Sequence, residues 1–138
     1  MDKQEIIDFI KRNPIVYLAT VEGKRPHVRG MMLYLVDENG IIFHTGRTKD
    51  LQKQLERNPE VELCCFSQTE NKQVRIAGKV EAVRDEALKK EIVKNRPFLK
   101  PWIEERGLDF LTVWRIKGGV ATIWTMETNL EPKEYIKL

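Results

Sequence analysis

The chain has 138 residues, of which 41% are hydrophobic and 33% charged, and its net charge is +3. This balance is typical of a folded globular protein, and the length favours one domain spanning residues 1–138. The only cysteines, Cys64 and Cys65, are neighbours that point to opposite faces of a strand, which excludes a disulfide scaffold. No apolar stretch could span a bilayer and the first residues lack a signal peptide's apolar region, so we expect a cytoplasmic protein without membrane contacts.

The N-terminal half predicts one helix, three strands and a second helix. Asp2 is a plausible cap for the first helix, and Asn13-Pro14 ends it because the residue before proline avoids helical geometry. Asn39-Gly40 matches a tight hairpin turn. The second helix opens at Thr48 and stops at Asn58-Pro59. β-branched and alternating patterns predict strands at residues 15–21, 26–36 and 41–45.

The C-terminal half predicts two hairpins that flank a helical region. Gly78 interrupts a strand and suggests a bulge or bend there. Asp85 caps a helix over residues 85–95, and residues 97–107 read as a loop with a helical turn. Strands are predicted at residues 61–67, 73–83, 111–117 and 120–126, the last two joined by Gly118-Gly119. The fold class is therefore mainly β (α+β), a closed or partly closed antiparallel barrel of six or seven strands with flanking helices.

The hairpin register points to an anion site. If Asn39-Gly40 forms the loop, Arg29 faces Asp50 and Met31 faces Thr48, and a longer loop puts Arg29 opposite Thr48. Either register brings Arg29 to the start of the second helix, where free backbone N–H groups, the Thr48 hydroxyl and the helix dipole favour phosphate. Arg47 and Lys49 add positive charge. The simpler alternative is that Thr48 only caps the helix and Arg29 only pairs with Asp50.

The strands beside this site offer contacts for the rest of a phosphate-bearing ligand such as a flavin. The candidates on one strand are His27, Val28 and Met31, and those on the other are Phe43, His44 and Thr45. Taken singly, Phe43 and Met31 also fit an ordinary core. The register separates His27 from His44 by several residues along the ladder, so no metal site is predicted. No nucleophile, base and carboxylate form a motif, so catalytic residues are left unassigned.

Four segments in order resemble the FMN-binding split-barrel family of pyridoxamine phosphate oxidase-like proteins, namely residues 25–31, 42–49, 58–61 and 73–80. The resemblance implies a split barrel that forms a homodimer, with FMN in two grooves at the subunit interface. It also implies that Arg29, Thr48 and Lys49 hold the phosphate, that His27 and Val28 lie beside the flavin, and that residues 43–45 contact its ring and ribityl chain. Gln73 and Trp124 are expected to come from the partner subunit.

The resemblance also bears on activity. The chain lacks the C-terminal arginine-bearing substrate motif of the vitamin-forming oxidases, and looks more like short relatives grouped with general stress proteins and nitroimidazole-resistance reductases. We therefore expect an FMN oxidoreductase that transfers hydride between the flavin and a small organic molecule, but not a true pyridoxamine phosphate oxidase.

Two alternatives stay open from the sequence. One is a non-catalytic module of the stress response that binds flavin, deazaflavin or haem. The other is an oligonucleotide-binding barrel that stacks bases on Trp102, Trp114 and Trp124. The slight net charge disfavours the second, so no nucleic-acid partner is expected.

Overall fold

A computed structural model describes all residues, 1–138. Its helices are α1 (Lys3–Arg12), α2 (Asp50–Arg57), α3 (Glu86–Asn95) and α4 (Lys100–Arg106), with short 3-10 turns at Pro97–Leu99 and Leu108–Phe110. Its strands are β1 (Ile15–Glu22), β2 (Arg25–Met32), β3 (Leu35–Asp37), β4 (Gly40–Gly46), β5 (Glu60–Ser67), β6 (Lys72–Ala82), β7 (Leu111–Ile116), β8 (Val120–Thr125) and β9 (Tyr135–Lys137). None of the helices combines the length and hydropathy that a membrane span needs.

The nine strands form one antiparallel sheet in the order β2-β1-β5-β6-β7-β4-β3, with β8 pairing with β6 and β9 with β8. The predicted class is confirmed, although the predicted count of six or seven strands is too low. The expected strand over residues 26–36 is broken at Leu33 and Tyr34. There the Leu33 N–H donates to Pro14 O and the Tyr34 N–H donates to Ile42 O, so the chain leaves one partner strand for another. The two ends of the sheet are thus joined by the chain, but β2 and β3 do not pair.

The predicted pairing of Arg29 with Asp50 or Thr48 is wrong. The hairpin of β3 and β4 pairs Leu35 with Ile42 and Asp37 with Gly40, so its loop is Glu38-Asn39 and not Asn39-Gly40. Because this ladder ends at Leu35, Arg29 never enters it. Arg29 lies on β2 opposite Leu18 of β1.

The predicted final hairpin is also wrong, since β7 and β8 do not pair with each other. Both pair with β6, which is long enough to serve β8 with its first half and β7 with its second. Gly78 lies between those two halves, where β6 changes partner. Gly118 and Gly119 adopt positive φ, and a Cβ on Gly119 would lie 2.7 Å from Ala77 O. Glycine therefore fits the junction where the chain leaves β7 and begins β8 beside β6.

Buried side chains form two clusters that β4 and β7 separate. The main cluster of 21 residues fills the barrel and packs against α1, whose N-terminus carries the predicted Asp2 cap as a capping box with Glu5. The second cluster lies under α3 and α4 and contains Ile42, Ile92, Leu99, Leu111 and Val113. The Asp85 cap of α3 is confirmed. The segment predicted as a loop with one helical turn instead forms a 3-10 turn followed by α4.

Candidate functional site

The guanidinium of Arg29 lies between β1 and α2. It donates to Leu18 O at 3.1 Å, to Thr20 Oγ1 at 2.9 Å and to Gln54 Oε1. Burial lowers the pKa of Arg29, and the nearby Asp50 charge opposes that shift. None of the chain's salt bridges includes Arg29, so its partners here are neutral oxygens. The result is a partly buried cation without a carboxylate partner, an arrangement that suits an anionic ligand.

The start of α2 differs from the predicted one. Lys49, not Thr48, is the N-cap residue, and no side chain caps the helix. Thr48 lies exposed in the preceding turn, where the Lys49 N–H donates to Gly46 O. The first N–H groups of α2 therefore lack side-chain acceptors. Gln54, which binds Arg29, is the fifth of the eight residues of this same helix. Arg29 therefore lies beside α2, but it makes no hydrogen bond to the start of the helix, where the sequence predicts it.

The remaining β2 candidates divide between two faces of the strand. His27 and Met31 share the face of Arg29, and His27 Nε2 is buried without a hydrogen-bond partner. Val28 points to the other side and is 69% exposed. The side chains of Val28 and Arg29 therefore cannot contact the same atoms of a ligand.

The β4 candidates differ in what they can offer a ligand. Phe43 is fully buried in the main cluster, so only its backbone is available. Thr45 is buried with an unpartnered hydroxyl. His44 Nε2 lies 2.7 Å from Arg96 Nη1, and burial together with the Arg96 and Lys49 charges lowers the pKa of His44 to about 4. His44 is consequently neutral at pH 7.

Arg47 contacts the turn before β7. Its Nε donates to Asp109 O at 3.1 Å and its backbone N–H donates to Phe110 O. It borders a cleft of about 780 Å³ whose walls carry acidic and basic side chains. Arg47 is therefore tied to the turn before β7, and it makes no hydrogen bond with Arg29, Thr20 or Gln54.

Gln73 and Trp124 lie directly opposite each other on β6 and β8. Trp124 Nε1 donates to Asn129 Oδ1 at 2.7 Å. Three and four strand spacings separate these residues from β2, a distance on the order of 14 to 19 Å. Within one chain they do not join the Arg29 group.

Sequence reasoning missed Thr20, Gln54 and Arg96. Thr20 and Gln54 are buried polar residues that orient Arg29, and their only sequence signal is that each is polar within an apolar pattern. The Arg96 guanidinium donates to Leu33 O at 2.7 Å and lies over the Tyr34 ring. Nothing in the sequence beyond a following proline marks Arg96, because all its side-chain contacts are distant along the chain.

A second cavity, of about 450 Å³, opens beside His44 and Lys49. Its far wall comes from the 3-10 turn, α4 and the turn before β7, which supply Phe98, Trp102 and Phe110. Trp102 is the only exposed tryptophan, since Trp114 is buried and Trp124 is half-buried. The three tryptophans therefore do not form the shared exposed stacking face that an oligonucleotide-binding barrel requires.

Comparisons with known proteins identify the family. A family model described as pyridoxamine 5'-phosphate oxidase matches residues 2–123. A pyridoxine/pyridoxamine 5'-phosphate oxidase from Pseudomonas putida (strain GB-1) is 42% identical over 67 residues, which is 48% of this chain and 31% of that protein. General stress protein 26 from Bacillus subtilis (strain 168) is 26% identical over 120 residues, covering 83% of this chain and 82% of that protein. The chain matches only about a third of the length of these oxidases.

Solved structures agree on the fold. A NimC/NimA family protein from Clostridium acetobutylicum aligns with a TM-score of 0.78 at 24% identity, covering 98% of this chain and 92% of that one. A pyridoxamine 5'-phosphate oxidase-related, FMN binding protein from Nostoc punctiforme aligns with a TM-score of 0.62 at 18% identity, covering 96% of this chain and 87% of that one. From the family match over most of its length and the shared split-barrel fold, this chain belongs to the pyridoxamine 5'-phosphate oxidase family.

Proposed function

We propose that this chain binds FMN and acts as an oxidoreductase that transfers hydride between the flavin and a small organic molecule. The observation that carries the proposal is the partly buried Arg29 cation, which lies beside α2 and has no carboxylate partner. Family membership and the structural similarity to an FMN binding protein support it.

The phosphate is assigned to the space between Arg29 and the start of α2. Arg29 supplies one charge-assisted donor, Lys49 at the N-cap position supplies a second, and the exposed Thr48 hydroxyl and the first N–H groups of α2 supply neutral donors. Such donors from several directions match a phosphate monoester, which has several acceptor oxygens. Thr20 and Gln54 act through Arg29, because their oxygens fix where its guanidinium points.

The flavin ring and ribityl chain are assigned to β2 and β4. Three buried polar side-chain atoms in the chain have no partner, and two of them, His27 Nε2 and Thr45 Oγ1, belong to these strands. Buried polar atoms normally find partners, so a ligand's polar atoms are a physical explanation for both. Met31 would pack against the ligand, and Phe43 would contribute backbone atoms only. The bound flavin would supply the two-electron chemistry, while these residues orient it and exclude water.

We also propose that the chain works as a homodimer. The outer face of the sheet exposes apolar side chains on neighbouring strands, namely Ile15, Tyr17, Val28, Met32 and Phe66. A contiguous apolar surface of this kind favours burial against a partner. Arg29 shares the inner face of the sheet with Leu18, whereas Gln73 shares the outer face with the exposed Phe66. A second copy against that outer face is therefore the route by which Gln73 and its neighbour Trp124 would reach a cofactor.

The test is the absorption spectrum and flavin affinity of the purified protein. We expect Arg29→Ala with Lys49→Ala to weaken FMN binding by about 100-fold, because each substitution removes a charge-assisted hydrogen bond. Arg25→Ala with Arg57→Ala is the matched control, since it removes two exposed cations from the same strand and the same helix. Equal FMN affinity in both double variants would contradict the phosphate assignment.

Three measurements address the rest of the proposal. Oxidation of reduced nicotinamide with a panel of organic acceptors distinguishes an oxidoreductase from a flavin-binding module without turnover. The shape of the visible spectrum separates FMN from haem and deazaflavin. A monomeric mass in solution in the presence of FMN would contradict the homodimer.

A further inference from the structure

The cavity beside His44 and Lys49 has an unusual wall for a chain of this size. Phe98 is 63% exposed and Trp102 is 49% exposed, although both are large aromatic side chains. Both line the cavity of about 450 Å³, and Phe110 lines it as well. A cavity of this volume with aromatic walls is the size of a small-molecule site. Flat aromatic surfaces favour planar ligands, which can stack on them or meet them edge to face.

The Phe110 wall is held in place by its contact with the sheet. The Phe110 ring lies so close to Gly46 that a Cβ on that residue would be 2.7 Å from the ring. The Arg106 guanidinium covers the ring at 5.2 Å from its centroid. Leu99 and Leu111 are buried beneath the same segment. The aromatic wall therefore rests on a fixed base, while its outer members, Phe98 and Trp102, remain uncovered.

Three polar side chains line the cavity, and the proposed function assigns two of them, Thr45 and Lys49, to the cofactor. His44 is the third. Arg96 Nη1 is a donor, so His44 Nε2 must accept from it, and the neutral ring then carries its proton on Nδ1. Nδ1 makes no hydrogen bond within the chain, which leaves a single N–H donor on a residue that lines the cavity. Lys49 is the only charged residue among the lining residues, and the proposed function assigns it to the cofactor phosphate.

From this arrangement we propose that the cavity binds an uncharged, planar aromatic molecule bearing a carbonyl oxygen, which accepts from His44 Nδ1–H while its rings lie against Phe98 and Trp102. That this molecule is the substrate of the flavin rests on the proposed function. That the molecule binds in the cavity does not depend on the proposed function.

The test uses the whole purified protein and four matched probes. 2-Acetonaphthone has the planar rings and the carbonyl, 2-ethylnaphthalene lacks the carbonyl, 2-naphthoate replaces it with a charge, and cyclohexyl methyl ketone lacks the planar rings. We expect 2-acetonaphthone to bind at least about tenfold more tightly than each of the others, as measured by titration calorimetry. 2-Ethylnaphthalene and cyclohexyl methyl ketone each lack one matched contact, and 2-naphthoate must give up the hydration of its carboxylate. Tighter binding of 2-naphthoate would overturn the proposal, since Lys49 would then select the ligand.

Protein variants locate the binding. Trp102→Ala should weaken 2-acetonaphthone binding by about tenfold, and Trp102→Phe should restore most of it, because an aromatic wall is kept. Tyr135→Ala is the control, since it removes another exposed aromatic outside the cavity. Unchanged binding in Trp102→Ala would overturn the proposal.

FMN content separates this inference from the function on which it rests. Trp102→Ala should keep the FMN affinity of the parent protein, and loss of FMN in that variant would overturn the inference by assigning the cavity to the cofactor. If the parent binds 2-acetonaphthone with the expected selectivity but no FMN, the cavity assignment is supported and the proposed function fails. If it binds FMN but not 2-acetonaphthone, only the inference fails.

Discussion

Different interactions stabilise the barrel and the helical segment that covers it. The barrel interior contains 21 buried residues enclosed by strands whose backbone groups pair with one another. The segment from α3 to the turn before β7 rests on five buried residues, and polar contacts supplement them. In these contacts Arg96 binds Leu33 O, and the Tyr34 hydroxyl binds both Glu91 and Asn95.

The proposed site has two parts, a phosphate-binding part and a substrate-binding part, and they lie in these two differently stabilised regions. Arg29, the proposed phosphate residue on the barrel, is held in position by the buried Thr20 and Gln54. The aromatic wall of the second cavity lies on the segment with the smaller core. Regions with few buried contacts open at lower free energy than the main core. A site built across the two regions combines a rigid cofactor anchor with a substrate wall that can adjust.

The largest expected effect compares matched leucines in the two clusters. Leu63 is fully buried in the main cluster and Leu99 is 6% exposed in the small one. We expect Leu63→Ala to lower the free energy of unfolding by about 3 to 5 kcal/mol and Leu99→Ala by about 2 kcal/mol, because the smaller cluster can relax around the lost volume. Urea denaturation measures both values.

Hydrogen exchange sharpens the same comparison. Leu99→Ala should speed amide exchange mainly in α3 and α4, whereas Leu63→Ala should speed it throughout the sheet. If both variants accelerate exchange uniformly and by similar factors, the two regions unfold as one unit and the distinction between them is wrong.

The next largest effect is a dependence of stability on pH, and it tests the contact between His44 of the barrel and Arg96 of the covering segment. The folded chain holds the pKa of His44 at about 4, chiefly by burial and then by the Arg96 charge. In the unfolded chain His44 takes up a proton near pH 6.5, whereas in the folded chain it stays neutral down to about pH 4. The free energy of unfolding is therefore at its full value above pH 6.5 and decreases as the pH falls toward 4. The expected loss is at most about 3 kcal/mol. His44→Gln should flatten the stability profile between pH 6.5 and 4, and an unchanged slope would contradict the assignment.

The smallest effect compares two glycines. A Cβ on Gly46 would lie 2.7 Å from the Phe110 ring, whereas a Cβ on Gly30 would meet ordinary contacts at 3.7 Å. We expect Gly46→Ala to destabilise the fold by about 1 to 3 kcal/mol, since the ring must move, and Gly30→Ala to change it by less than about 1 kcal/mol. In the double variant Gly46→Ala with Phe110→Ala the clash should be absent, so its loss of stability in thermal denaturation should be smaller than the sum of the two single losses. A loss equal to that sum would contradict the contact between Gly46 and Phe110.

The sequence by itself determined the local structure and the family. The caps at Asp2 and Asp85 and most strand positions follow from residue type and spacing over a few neighbours, which is information that a short stretch contains. Arg29 lies beside the second helix, but it binds Gln54, the fifth residue of that helix, and not the helix start that the sequence predicts. That the chain forms one domain stays a prediction.

Only the tertiary structure decided which strands pair and which distant residues meet. Alternation identifies a strand but not all of its partners, so the sequence wrongly extends the ladder of β3 and β4 back to Arg29 of β2 and wrongly joins β7 and β8 in a hairpin. For the same reason the sequence could not reveal that Arg96 fixes His44, or that Phe98 and Trp102 face a cavity beside it. Such contacts are selected by the free energy of packing the whole sheet and its covering segment, which no local pattern encodes.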